Sequence, residues 1–196
     1  MSDALSPLAL NQLFTEAHTA HAFVPQNLSD ETIHQIYDLF KWGPTAFNAQ
    51  HGRYLFLKSQ PAKERLFPAL MPNNVPQVQS ASMTIVVAYD TRFFEHLPTL
   101  FPAYDAKPIY ENNPALSQEN AFRNSALQGG YLIMAIRALG LDCGAMSGFD
   151  AAKVNEIFFP DGRYQVNFLI NVGKADPAGV YPRNPRLTFN QAAQIL

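Results

Sequence analysis

Two loops of the chain carry residue types that could hold a small ligand. Residues 43–50 contain Thr45, Asn48 and Gln50, whose side chains can hydrogen-bond a ligand directly after the end of a predicted helix. Residues 143–149 offer small side chains and backbone N–H groups, which a flat ring could approach closely. From the residues alone, two plainer interpretations stay open: an ordinary polar turn at 43–50 and a simple loop between two helices at 143–149.

A third candidate lies near the C-terminus, where the run Y-P-R-N-P-R-L brings two arginines close together. Arg183 and Arg186 could bind a phosphate through bidentate hydrogen bonds, although a solvated basic tail is the simpler interpretation. Common catalytic motifs are missing from the sequence: it has no G-x-G-x-x-G after a strand, no G-x-x-x-x-G-K-[ST], no H-E-x-x-H and no G-x-S-x-G.

The histidines and the cysteine do not supply an obvious reactive centre. None of the five histidines stands at metal-ligand spacing from a carboxylate, and each is interpreted as a surface or capping residue. They are His18, His21, His34, His51 and His96. The single cysteine excludes an intramolecular disulfide and a cysteine-rich metal site. We therefore predict no metal and no catalytic side chain, so a bound cofactor is the natural source of demanding chemistry.

Composition narrows the class of protein. A length of 196 residues predicts one domain, residues 1–196, and the 47% apolar and 12% aromatic content is typical of a globular protein. A formal net charge of −2 gives no reason to expect nucleic acid or an anionic membrane surface as a partner. Because no signal-like or membrane-spanning run is found and cysteine is scarce, we expect a cytoplasmic protein.

The longest helical pattern runs from Ser117, the predicted N-cap, to Gly140, the predicted left-handed residue after the helix. Apolar residues cover nearly every side of this helix, so we expect it to be buried on all sides. Its interspersed polar residues break it into pieces too short to span a bilayer. The Gly129-Gly130 pair is costly inside a helix, which predicts close approach by a second helix or a partner subunit.

Two further helices are predicted before residue 45. Ser6-Pro7 reads as an N-cap followed by proline at the first helical position, and residues 17–23 are expected to carry that helix to its end. Ser29 begins a second helix, which Gly43-Pro44 stops. Later in the chain, Pro61 opens a short helix, Asp150 caps another that ends near Phe158, and T-F-N-Q from Thr188 forms a possible capping box.

Three strands are predicted, at Tyr54 to Leu57, Met83 to Tyr89 and Val166 to Val172. Residues 142–149 are interpreted as a glycine-punctuated loop. Residues 91–114, rich in Phe, Tyr and Pro, are interpreted as a functional connection or as short helices without a clean period. Three strands are few for so much apolar helix surface, which suggests that a second copy of the chain completes the core.

Four motifs resemble the FMN-dependent nitroreductase family, in the family's order and over essentially the whole chain. They are A-H-T-A-H-A-F at 17–23, P-T-A-F-N-A-Q at 44–50, M-S-G-F at 146–149 and R-N-P-R-L at 183–187. The runs K-W-G-P-T, A-F-R-N-S and A-L-G-L-D further resemble the branch that contains malonic semialdehyde reductase. Each motif is weak by itself, but together they are fairly specific.

The resemblance implies an α+β, nitroreductase-like fold with a small mixed sheet surrounded by helices. It also implies a homodimer whose two FMN sites lie at the subunit interface and use residues of both chains. The implied cofactor-binding residues are His18, Thr19 and His21 at the phosphate and ribityl chain, Pro44, Thr45, Asn48 and Gln50 at the ring edge, Asn74 at the ribityl chain or ring, Ser147 and Gly148 at N5, and Arg183 and Arg186 at the phosphate.

The sequence departs from the family at both ends of this site. Ala17, His18 and His21 stand where many members have arginine or lysine, and Gln77 stands where a lysine is frequent. The function implied is transfer of two electrons from NADH or NADPH through FMN to a small-molecule acceptor. Malonic semialdehyde, giving 3-hydroxypropionate, is the preferred acceptor; nitroaromatics or quinones, or a non-enzymatic flavin-binding protein of the same fold, are the alternatives.

Overall fold

The sheet is organised around two strands that contain the longest buried apolar runs. In the computed structural model, which describes residues 3–196, the strands are β1 Phe23–Val24, β2 Gly52–Leu57, β3 Met83–Asp90, β4 Asp142–Met146 and β5 Tyr164–Ala175. Every residue of β3 is buried, as its continuous apolar run predicts. β3 lies antiparallel between β2 and β5.

The long strand β5 joins the remaining two strands to the sheet. It pairs antiparallel with β4, and its last two residues pair antiparallel with β1. A single parallel bridge links Thr19 to Cys143. The described strands therefore number five rather than three, and their ladders are antiparallel rather than mixed. The loop predicted at 142–149 was wrong over residues 142–146, because pairing with β5 draws that stretch into the sheet.

Nine α-helices lie within residues 3–196, and most are short. They are α1 Pro7–Leu10, α2 Asp30–Phe40, α3 Gln60–Glu64, α4 Val75–Ser80, α5 Leu97–Leu100, α6 Lys107–Glu111, α7 Pro114–Ala138, α8 Ala151–Phe158 and α9 Phe189–Ala192. The predicted caps at Ser6, Ser29 and Asp150 are confirmed, since each side chain accepts a backbone N–H. At Thr188 the capping box is present. No helix in this range is long and apolar enough to cross a membrane.

The core helix α7 begins earlier than its pattern predicts. Asn113, not Ser117, is the N-cap: its side-chain oxygen accepts the N–H of Leu116 at 3.1 Å. Ser117 lies inside the helix and is buried. The C-terminal prediction is confirmed, because Gly140 follows the helix with a φ of +74°.

The prediction that α7 is buried on all sides was wrong for the single chain. Leu132 and Ile136 pack into the core beside α2, but Phe122, Leu127 and Tyr131 are 53%, 45% and 43% exposed. Within the described chain, the close approach at Gly129 comes from a strand and not from the predicted second helix, because an added Cβ there would collide with the Phe168 ring of β5. A Cβ added at Gly130 would meet no other part of the described chain within 4 Å.

The N-terminal helix ends sooner than predicted, and the chain after it is extended. α1 continues as a π-helix over Asn11–Thr15, after which Thr19 and Ala20 lie beside the start of β4 and Phe23 begins β1. The N–H of Ala20 donates to the Cys143 carbonyl at 3.1 Å. Because the edge of β4 offers backbone partners, extended chain replaces the expected helix there.

Short helices account for residues 91–114, the second of the two predicted interpretations. Phe93–His96 forms a 3₁₀ turn, followed by α5 and α6. Phe93, Leu97 and Tyr110 are buried in a small apolar cluster that is separate from the main core of the protein. Tyr104 is 56% exposed, so this segment presents an aromatic surface outside its own core.

Candidate functional site

A cationic cleft lies where the two ends of the chain meet. Its volume is 580 Å³, and its walls come from residues 14–21, the end of α7 and the extended tail after Val180. Three arginines and two histidines line it, with no carboxylate among the lining residues: Arg137, Arg183, Arg186, His18 and His21. Such a wall favours an anionic ligand group, above all a phosphate, which arginine can bind bidentately.

The tail is tied to the N-terminal segment by Arg183. Its Nη2 donates to the carbonyls of Thr15 at 2.7 Å and Ala17 at 2.9 Å. Nη1 of Arg186 donates to the Asn184 carbonyl at 2.8 Å, within the tail. The structure thus brings together five of the residues that the sequence assigned to a phosphate end, namely His18, Thr19, His21, Arg183 and Arg186.

Arg137 is a member of this cleft that sequence reasoning missed. It lies in the last turn of α7, where a cation interacts favourably with the helix dipole. Its Nη1 donates to the Leu13 carbonyl at 3.0 Å, so the guanidinium is held against the N-terminal segment. The available signal was an arginine in the last turn of the predicted helix, three residues before Gly140 and the turn into β4.

A second cluster lies at the other end of β4. Nδ2 of Asn74 donates to the Gly148 carbonyl at 2.8 Å, and the N–H of Met71 donates to the same oxygen at 3.1 Å. Asn74 is itself held by Gln77, whose Nε2 donates to its Oδ1 at 3.1 Å. A Cβ at Gly148 would collide with Nδ2 of Asn74, so a larger residue there would have to displace the Asn74 side chain and its hydrogen bond to the Gly148 carbonyl.

β4 connects the cationic cleft to this cluster. Thr19 is bridged to Cys143 at the start of the strand, and Ser147, which is exposed, follows its end. The chain from Cys143 to Gly148 spans at most about 17 Å at the rise of an extended strand. An elongated ligand with an anionic end and a flat end could therefore lie along one strand edge.

The third predicted segment, residues 44–50, has an unusual backbone. Phe47, Asn48 and Gln50 adopt left-handed conformations, with φ of 50°, 51° and 47°. Such conformations are costly for side chains other than glycine and occur often at functional sites. The sequence predicted a polar loop here but not this strain.

Local hydrogen bonds hold that backbone in place. The N–H of Gln50 donates to Oγ1 of Thr45 at 3.1 Å, and the N–H of Ala46 donates to Oδ1 of Asn124 at 2.9 Å. Pro44 and Asn48 are exposed, and Thr45 and Gln50 are half-buried. None of the hydrogen bonds and clefts found among residues 3–196 joins this loop to the clusters at the two ends of β4.

His51 contradicts the prediction that every histidine is a surface or capping residue. It is fully buried, its ring lies 4.0 Å from that of Phe93, and neither ring nitrogen has a hydrogen-bond partner among residues 3–196. Burial, assisted by the positive charge of Arg53 and opposed by Asp90, lowers the pKa of His51 to about 4. The prediction failed because it considered metal spacing and not the burial of the residue beside β2.

Asp90, at the end of β3, is a buried carboxylate with several cationic partners. Its Oδ2 lies 2.8 Å from Nη2 of Arg53, and its Oδ1 lies 2.6 Å from Nε of Arg163. Burial alone raises the pKa of a carboxyl, but hydrogen bonds from Arg163 and from the Arg92 N–H, together with both guanidinium charges, hold the pKa of Asp90 below its usual value. The carboxylate therefore remains ionised in the interior.

Comparison with known proteins relates the chain to nitroreductases. Residues 15–174 match the sequence model of the Nitroreductase family. A Ralstonia nicotianae protein named "Putative NADH dehydrogenase/NAD(P)H nitroreductase" is 50% identical over 192 residues, 98% of each chain. A protein of the same name from Rhodopseudomonas palustris is 50% identical over 196 residues, the whole of both chains.

Two solved structures share the fold. A Bacillus subtilis protein titled a "putative nitroreductase" superposes with a TM-score of 0.88 at 25% identity, over 97% of this chain and 100% of that one. An Exiguobacterium sibiricum protein with the same description, solved in complex with FMN, superposes with a TM-score of 0.86 at 24% identity. That match covers 100% of this chain and 99% of the other.

Proposed function

Because the chain belongs to the nitroreductase family, we propose that it is an FMN-dependent oxidoreductase that takes electrons from NADH or NADPH. The observation that carries the proposal is the cationic cleft at one end of β4, with the close-packed backbone at Gly148 at the other. FMN has a phosphate that is close to a dianion at neutral pH and a flat ring that needs a close backbone approach. The two ends of β4 offer those two environments.

The residues present fit such a ligand. Arg137, Arg183 and Arg186 carry permanent charge, so the phosphate would be met by cations even though His18 and His21 replace the arginines frequent in the family. When bound, FMN would supply the two-electron redox chemistry that amino-acid side chains lack. The chain's own part is to bind the phosphate, to fix the backbone at Gly148 through Asn74 and Met71, and to position the reactants.

We also propose a homodimer whose site is completed by the 44–50 loop of a second copy. That loop carries Thr45, Asn48 and Gln50, yet within one chain it is not joined to either end of β4. Apolar surface that a partner could cover is supplied by the exposed residues 181–196 and by the exposed apolar side chains of α7, which are Phe122, Leu127 and Tyr131.

The proposed acceptor is malonic semialdehyde, which would be reduced to 3-hydroxypropionate. It is supported by the sequence runs at Lys41 to Thr45 and Ala121 to Ser125, which resemble the branch of the family that carries this activity. Nitroaromatics and quinones are the alternative acceptors. A flavin-binding protein without turnover is the alternative of another class.

One experiment separates these possibilities. The purified protein, loaded with FMN, is mixed anaerobically with NADH or NADPH while its flavin absorbance is recorded, and each acceptor is then added in turn. We expect rapid bleaching by a nicotinamide and reoxidation by the acceptor that the enzyme uses. Bound flavin that neither nucleotide bleaches would identify a binding protein, and a protein that takes up no FMN would refute the proposal entirely.

A substitution that removes the positive charge of Arg137 tests the role of the cationic cleft. Because a charge-assisted hydrogen bond contributes about 1.5–3 kcal/mol, Arg137→Gln should weaken FMN binding about tenfold or more. Arg123→Gln is the matched control, since Arg123 lies on the same helix but is exposed and pairs with Glu119. Fluorescence titration of FMN into the apoprotein gives both dissociation constants. Equal values for the two variants would remove Arg137 from the site.

A further inference from the structure

The strained 44–50 loop is anchored by one side chain that reaches back from β2. Nη1 of Arg53 donates to the carbonyls of Gln50 and Gly52, each at 2.8 Å. Through Nη2, the same guanidinium binds Oδ2 of Asp90, also at 2.8 Å. Because a left-handed Gln50 persists only where its surroundings constrain it, this anchor helps to set the backbone of the loop.

Asp90 holds the 91–114 segment with its remaining hydrogen-bonding capacity. Its Oδ1 accepts the N–H of Arg92 at 2.9 Å and lies 2.6 Å from Nε of Arg163. The Arg163 guanidinium continues to Glu95, with Nη1 2.6 Å from Oε2. A continuous path of charged contacts therefore runs from Gln50 through Arg53, Asp90 and Arg163 to the 3₁₀ turn at the start of the segment.

The same two parts of the chain also meet at their tips. Nδ2 of Asn48 donates to the Leu100 carbonyl at 3.0 Å. The ring of Phe47 lies 5.3 Å from that of Phe101 and 6.2 Å from that of Tyr104. The 44–50 loop and the 91–114 segment are thus joined both at the base, through Asp90, and at the tip, through Asn48 and Phe47.

We propose that Asp90 is a positioning residue that couples the 44–50 loop to the 91–114 segment. It has no exposed surface, and it is the one group in the path that binds the anchor of the loop and the anchor of the segment simultaneously. In consequence, a perturbation confined to the segment changes the affinity of the loop for its ligand, and ligand binding to the loop orders the segment. For FMN this rests on the proposed function; the coupling itself is a property of the apoprotein.

The test perturbs the far end of the path, away from the loop. Glu95→Gln removes the charge partner of Arg163. Arg92→Gln is the control, because its side chain is 58% exposed and its ion pair with Glu95 is long, at 3.7 Å. Amide hydrogen exchange of residues 46–50 is measured in both apoproteins, together with the dissociation constant of FMN and the midpoint of thermal unfolding.

We expect Glu95→Gln to speed exchange at residues 46–50 and to weaken FMN binding by up to about fivefold, the upper end of the range for one partly exposed ion pair. Its unfolding midpoint should stay close to that of Arg92→Gln, which should change neither exchange nor binding. Unchanged exchange at 46–50 in Glu95→Gln would overturn the proposal. If wild-type protein takes up no FMN, the proposed function fails, while the exchange experiment still decides the coupling.

A second variant tests the path in the opposite direction. Arg53→Lys keeps a positive charge beside Asp90 but loses the planar fork that bonds Gln50, Gly52 and Asp90 together. We expect faster exchange at residues 97–101, which Arg53 does not touch, and a non-additive effect on FMN affinity when it is combined with Glu95→Gln. Additive effects with unaltered exchange at 97–101 would show that the two parts move independently.

Discussion

The buried His51 ring makes the stability of this protein depend on pH in a way that can be calculated. Burial beside the Phe93 ring and the positive charge of Arg53 both disfavour a proton on His51 and lower its pKa, and they outweigh the attraction of Asp90. The folded protein therefore keeps His51 neutral well below pH 6.5. The unfolded chain has no such restraint and takes up a proton near the ordinary pKa of 6.5.

The direction and the size of the pH effect on stability follow from the difference in the pKa of His51 between the folded and unfolded states. Since the pKa is about 4 in the folded state and 6.5 in the unfolded state, the unfolded state binds more protons between these values, and stability falls as pH falls. The full loss corresponds to about 3.4 kcal/mol, at about 1.36 kcal/mol per unit of pKa. Between pH 7 and pH 5 the linkage relation gives a loss of about 1.8 kcal/mol from this residue.

Urea unfolding of the apoprotein at pH 7, 6 and 5 measures the effect. His51→Leu removes the titration and leaves no imidazole nitrogen unsatisfied, so it should lose about 1.8 kcal/mol less than wild type between pH 7 and pH 5. His34→Leu is the matched control, because His34 lies exposed on α2. If all three proteins show the same dependence on pH, His51 does not titrate as its burial requires.

Three further outcomes are expected. Gly148→Val should abolish FMN binding or slow flavin reduction at least tenfold because a Cβ collides with Asn74; normal flavin content and turnover would exclude that backbone from the site. Substitution of the exposed Tyr104, or of its neighbour Phe101, should change acceptor kcat/KM more than nicotinamide kcat/KM, whereas equal changes would indicate packing alone. Sedimentation at micromolar concentration should show twice the chain mass, and Tyr131→Glu should shift it toward the monomer; a stable wild-type monomer would refute the interface site.

Local signals predicted much of the secondary structure because they act within one turn or one strand. The caps at Ser29 and Asp150 satisfy nearby N–H groups, and the apolar run of β3 needs burial on both faces. β4 was missed because D-C-G-A-M has little strand propensity. Gly144 lies there since a Cβ would collide with the Ala20 carbonyl, a contact that only the assembled fold reveals.

Some residues of the candidate site could likewise be predicted from the sequence, and others could not. Motif resemblance selected His18 and Arg183, and the fold brings them to one cleft. Arg137 was missed because its proximity to them depends on where α7 ends, and Asp90 was missed because nothing in M-T-I-V-V-A-Y-D shows that two distant arginines converge on its last residue. Residues that act through long-range packing leave no local pattern in a sequence.

The position of β5 in the chain has a consequence for biosynthesis. β5 pairs with β1, β3 and β4, yet it is the last of the described strands to be synthesised. Arg183, which bonds the Thr15 carbonyl across 168 residues of sequence, emerges later still. A nascent chain can form β2, β3 and α7 but cannot close its sheet or its cationic cleft, because long-range pairing must wait for the final fifth of the sequence. The cleft therefore forms only after the segment beyond β5 has been synthesised, and truncation near residue 180 removes the cleft while retaining the residues of all five described strands.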